Sequence, residues 1–235
     1  MATTFVTAFY KLDNRQCNYL QLFKPLVKAN IKIHLFIQPK LYDSYINEIG
    51  NKEHIHITKL EFEELNIYKN LYNSEFICRL PEHRTCEKDT EKFMILMNSK
   101  VEFVKRAIDL NIFNSTQFAW IDFGISKVIK HLDTFEKLKT IPKINNLYIP
   151  AIWPKMNIDF SRVCWRFCGG FFIGDIQSIL RFNSIYETHF LNILKINNYI
   201  LSWEVNFWAY FEYNQLFEPV TYLADHNDSM LTFVV

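Results

Sequence analysis

Two alternating periods of apolar and polar positions run along this 235-residue chain. Runs rich in β-branched and aromatic residues recur at 3–10 (TTFVTAFY), 31–37 (IKIHLFI) and 54–60 (HIHITKL), and such runs read as strands. Between them, 18–28 carries Tyr19, Leu20, Phe23, Leu26 and Val27 at helical spacing, 41–49 reads as a helix closed by Gly50, and 61–72 as a helix or a pair of turns. After a loop around Pro81, 88–110 predicts the longest helix, ending near Asn111. A strand at 118–123, a helix at 128–138, an apolar run at 147–153, a glycine-bearing strand or turn at 166–175, helices at 178–195 and 203–213, and a strand at 220–224 complete the pattern. Alternation of this kind predicts βαβ units, and so an α/β domain with a mixed, mostly parallel central sheet flanked by helices. The proline-flanked stretch 142–160 is the one seam within a single domain, between a first half over 1–141 and a second half over 142–235.

The segment 118–126 (FAWIDFGIS) anchors the functional reading. A short apolar run closed by Gly124 reads as a buried strand that delivers Asp122 to its carboxyl end. Ligands of open α/β sheets bind just outside those ends. There a carboxylate either caps the following turn or holds a hard cation and, through it, a diphosphate.

Composition narrows the classes. With 49% hydrophobic and 17% aromatic residues the chain is globular. A net charge of +1, with both signs scattered, provides no basic face for nucleic acid. The first ten residues lack the basic region and cleavage site of a signal peptide. No apolar run approaches the ~20 residues of a membrane span. Five cysteines, Cys17, Cys78, Cys86, Cys164 and Cys168, are odd in number and contain no C-x-x-C pair. They predict reduced thiols rather than a disulfide frame or a zinc site, and a cytoplasmic location.

Four groups of residues can carry chemistry. On a helix over 88–110, Asp89, Phe93, Met97, Lys100 and Val104 share one stripe. Lys100 therefore faces the protein, where it either snorkels over apolar surface or ends in a polar cleft. Three of the five glycines, Gly169, Gly170 and Gly174, fall within six positions, which fits a β-bulge or backbone lying against a flat ligand. Glu204 opens a helix whose apolar stripe is Trp203, Phe207, Tyr210 and Phe211; it either stabilises the helix start or acts as a base aimed into a cleft. Asp225, His226, Asn227 and Asp228 follow the last strand, as a turn or as metal ligands.

Taken together and in order, FVTAFY, PEHRTCEKDTEKFMILMNSKVEFVKRAI, FAWIDFGI, FCGGFFIGD, SWEVNFWA and ADHND resemble the HtrL/YibB (WlaTC) family, regarded as GT-A-type glycosyltransferases or close relatives. The resemblance implies a single Rossmann-like GT-A domain, with 1–141 as its nucleotide side and 142–235 as its acceptor side. It implies transfer of a sugar from a nucleotide-diphosphate donor, with a UDP-sugar favoured, to a glycan or protein acceptor, as in polysaccharide biosynthesis. A divalent metal, Mn2+ or Mg2+, is implied at a D-x-D motif. Asp122 matches its first carboxylate, but position 124 is Gly. His226, with Asp225, fits the place of a further ligand from the C-terminal end. Thr7, Ala8 and Phe9 match the strand that cradles base and ribose. Arg84, Lys100, Asp122, Gly169 and Gly170 complete the expected donor site. Glu204 is the expected catalytic carboxylate, with Asp175 as a second candidate that equally caps the next helix. The missing second carboxylate keeps open a catalytically idle nucleotide- or sugar-binding protein on the same scaffold; a nucleotidyltransferase would normally need both.

Overall fold

The computed structural model describes residues 2–12, 18–74 and 76–232; Cys17 lies outside them. The elements in chain order are β1 (Thr3–Phe9), α1 (Tyr19–Lys28), β2 (Ile33–Ile37), α2 (Tyr42–Ile49), β3 (Ile55–Lys59), α3 (Asn66–Tyr72), α4 (Glu91–Asn98) and α5 (Lys100–Leu110). Then come β4 (Gln117–Ile121), α6 (Asp133–Lys137), β5 (Tyr148–Ala151), β6 (Phe171–Asp175), α7 (Ile176–Ile196), α8 (Glu204–Tyr213) and β7 (Val220–Leu223). The strands form one sheet in the order β3-β2-β1-β4-β6-β5-β7. The first four are mutually parallel; β6 runs antiparallel to both β4 and β5, and β7 is parallel to β5. The sheet is thus mixed and mostly parallel, and the protein is a single α/β domain. The sheet is continuous across residues 142–160, because β4 before that stretch pairs with β6 after it.

Side chains alternate across the pleat, and the two faces build two cores. Val6, Phe118, Trp120 and Phe172 pack with α4, α5, α7 and α8. Phe5, Phe9, Ala119, Ile121 and Phe171 pack with α1, α2 and the segment around α6. Asp122 follows the parity of Phe118 and Trp120, so it belongs on the α5 and α8 side.

Two expected helices differ from the pattern. The helix over 88–110 is broken at Ser99. Thr90 caps α4 by accepting the Phe93 N–H at 3.3 Å. At the break, the Ser99 hydroxyl donates back to the Ile95 carbonyl at 2.9 Å, the local competition that makes Ser a poor helix interior residue. The longest helix is instead α7, with 21 residues. The helix over 128–138 shrinks to the five-residue α6. Its upstream backbone is claimed by Asp228, which accepts from the N–H groups of Lys130 at 3.1 Å and His131 at 2.9 Å and from the Thr134 hydroxyl at 2.9 Å.

Candidate active site

The strand order reverses at β1, with β2 on one side and β4 on the other, and ligands of doubly wound sheets sit at the carboxyl ends of such a switch point. A cleft of about 800 Å³ opens there. Ala8, Phe9, Tyr10 and Lys11 line it from the end of β1. Lys100, Asp122, Gly169, Gly170 and Glu204 line it as well, together with Arg84, Lys88 and Asp89 from the loop before α4.

Lys100 is the hub. It opens α5, with its side chain only 2% exposed. Its Nζ donates to Oε1 of Glu204 at 2.8 Å and to the Gly169 carbonyl at 2.8 Å, and lies 3.0 Å from Oδ1 of Asp122. An ammonium has three N–H donors, and all three find acceptors inside the protein. Burial pulls the Lys100 pKa down, but the Asp122 and Glu204 carboxylates more than offset it and hold the group above its ordinary value. Lys100 is therefore a charged tie between three chain segments, not a snorkelling surface lysine.

Each partner is delivered by its own element. The Asp122 N–H donates to the Gly170 carbonyl at 3.0 Å, one step beyond the β4–β6 register. Oδ1 of Asp122 also accepts the Trp120 indole N–H at 2.7 Å. Glu204 is the first residue of α8 and is buried; a helix N-terminus favours a carboxylate. The buried Asn98 amide donates to the Ser202 carbonyl at 2.8 Å, so the positions two residues before Lys100 and two before Glu204 are themselves joined. Gly169 is required by close approach, because a β-carbon there would collide with Oε1 of Glu204.

Several expected residues lie elsewhere. Asp175 ends the antiparallel strand β6, opposite Gln117 at the start of β4. It therefore sits at the other end of the sheet, where it caps α7 by accepting the Ser178 N–H at 2.7 Å. Thr7 is one residue too deep in β1: it is fully buried and does not line the cleft, whereas Ala8 and Phe9 do. Asp225 does not line the cleft either; its Oδ1 accepts the His226 N–H at 2.6 Å. His226 does line it, with its ring edge-on to Trp165 at 4.5 Å. Burial pushes the His226 pKa down, against the opposing pull of Asp225 and Asp122. Asp89, which shares the inward stripe with Lys100, also lines the cleft, as do Lys11, Lys88, Lys127 and Trp165, which carried no expectation from the sequence. Lys11 and Lys127 had a readable signal, since each follows a strand that ends at the switch point.

The donor set fits a protein-held metal poorly. Among the described residues, no group of three or more His, Cys, Asp or Glu side chains is placed to hold one. Oδ1 of Asp122 already contacts the Lys100 ammonium and the Trp120 indole. At position 124 a β-carbon would meet the Tyr19 ring at 3.4 Å and Leu22 at 3.6 Å. That position packs against α1, so the D-x-D spacing has no second carboxylate to offer here.

These features define an α/β protein with a cleft of apolar and charged side chains at the switch point of its sheet. The chain belongs to the HtrL_YibB family, bacterial proteins of unknown function, whose family model matches residues 10–223. None of the curated proteins compared with it matches in sequence. Among solved structures, it is similar to Rv0371c of Mycobacterium tuberculosis H37Rv in complex with manganese, with 6% identity over 84% of each chain and a TM-score of 0.42. It is also similar to a glycosyltransferase involved in glycosylation of the major capsid of PBCV-1, with 10% identity, 80% of this chain and 67% of that one, and a TM-score of 0.38. Likenesses this distant do not bear on function. No helix among the described residues is long and apolar enough to cross a membrane.

Proposed function

We propose that the protein is a glycosyltransferase that moves a sugar from a nucleotide-diphosphate donor to a glycan or protein acceptor. The observation that carries this reading is the Asp122–Lys100–Glu204 cluster at the switch-point cleft. It brings two carboxylates from different elements to one face of a cleft large enough for a nucleotide sugar. The base and ribose lie along Ala8 and Phe9 at the end of β1, and the diphosphate lies beyond Asp122. Glu204 faces the sugar and acceptor as the carboxylate that accepts the acceptor hydroxyl proton. Lys100 holds Glu204 and Asp122 in place, and the rigid start of α8 provides the support a catalytic group needs. No step of this reading runs through a divalent cation.

A thermal-shift screen of nucleotide sugars, followed by nucleoside diphosphate release with each stabilising donor, tests it. A donor well above its Kd raises apparent stability by a few kcal/mol. Glu204→Gln keeps shape and hydrogen bonding but removes the charge. It is expected to bind donor as wild type does and to lose turnover by roughly a hundredfold or more, the scale of a positioned acid or base. Wild-type turnover in Glu204→Gln removes the catalytic role. Donor binding with no turnover by the wild type, whatever acceptor is offered, makes the protein a binder.

A further inference from the structure

We infer that the cleft neutralises the diphosphate of its ligand with side-chain cations, Lys11, Lys127 and Arg84, in place of a divalent metal. The inference rests on the nucleotide-donor reading above and specifies how that ligand is held. Among the described residues, five cationic side chains line the cleft, Lys11, Arg84, Lys88, Lys100 and Lys127, against three carboxylates, Asp89, Asp122 and Glu204. With histidines neutral the described lining residues thus carry a surplus of two positive charges. A surplus of that sign selects an anionic ligand.

The surplus is not available at Lys100, whose three donors are taken up by Glu204, Gly169 and Asp122. It is available on the walls. Lys11 follows β1, and Lys127 lies in the turn after Asp122, so both stand at the carboxyl ends of the two strands that flank the switch point. Both are exposed, and neither forms an ion pair with a described residue. Arg84 adds a buried Nε–H with no hydrogen-bond partner among the described residues, while its Nη1 is anchored on the Pro81 carbonyl at 3.0 Å. Meanwhile the ammonium of Lys100 sits against the inner oxygen of Asp122, and position 124 supplies no second carboxylate. A buried cation thus already neutralises the carboxylate on which a metal would depend.

Calorimetric titration of the full chain with UDP, GDP, CDP and ADP, in EDTA and again in manganese, decides the matter. At least one nucleoside diphosphate is expected to bind in EDTA, with manganese changing its Kd by no more than a few-fold. Lys127→Met and Lys11→Met, both surface changes, are each expected to weaken that binding by about tenfold, the scale of one charge-assisted hydrogen bond. Binding that appears only with manganese overturns this inference and leaves the nucleotide reading standing. Undiminished binding by both lysine variants in EDTA likewise overturns the inference alone. Absence of binding by all four nucleotides, with and without manganese, overturns the inference together with the reading beneath it.

Discussion

Lys100 shows how much one side chain can depend on its neighbours. Replacing it with Met preserves length and apolar stem, and would be mild for a lysine that merely covered apolar surface. Here it removes the only cation among the described residues within hydrogen-bonding reach of the buried Glu204 carboxylate and the partly exposed Asp122. Removing one partner of a buried ion pair is far costlier than exchanging both for neutral groups. Lys100→Met is expected to destabilise the fold by about 3 kcal/mol in urea unfolding. The double change Lys100→Met/Glu204→Gln should recover part of that loss, because it leaves no buried unpaired charge. A single variant as stable as wild type, or a double variant less stable than the single one, would contradict the role given to Lys100. The stripe that turned Lys100 inward was legible in the sequence, as was its proximity to the Asp122 strand. That Glu204 would meet it was not, because their contact joins positions 104 apart.

Among the elements, the strands were the most legible, since each is a short apolar run bounded by turn residues, and β1, β2, β4, β5 and β6 are largely buried on both faces. The helices were less so, because Ser99 interrupts an apolar stripe that continues unbroken, and because Asp228 draws the backbone around residues 130–134 out of its local preference. Strand β2 carries a testable consequence of its burial. His34 is buried, stacked on Phe36 and set edge-on to His56, with a ring nitrogen 2.8 Å from the Thr58 hydroxyl. Burial first, and then the charge of His56, push its pKa down to about 3. The unfolded chain binds this proton near the ordinary value of 6.5, while the folded protein refuses it until about 3. Between those values the unfolded state holds more protons, so this contribution to stability is present above 6.5 and is lost as the pH falls, by up to roughly 1.4 kcal/mol per pH unit. Urea midpoints measured at about pH 7 and about pH 5 should therefore converge in His34→Gln relative to wild type. An unchanged difference between the two pH values would assign the acid sensitivity to other groups.

For the whole molecule, the sheet order explains why the site lies where it does. Two parallel strands, β2 and β3, lie on one side of β1, β4 begins the other side, and the first and fourth strands open their carboxyl ends on a single cleft. The antiparallel β6 then returns beside β4 and brings Gly169 and Gly170 to the same end, while sending Asp175 to the opposite one. Strand direction therefore sorted the carboxylates: the sequence offered Asp175 as a second candidate behind Glu204, and topology places it at the far end of the sheet. The most direct test of the central claim is a crystal structure of the protein with a nucleotide sugar that stabilises it. The account predicts the base against Ala8 and Phe9, the diphosphate within hydrogen-bonding distance of Lys11 or Lys127, and the sugar beside Glu204. A nucleotide sugar bound outside the switch-point cleft, or bound there with its sugar directed away from Glu204, would contradict it.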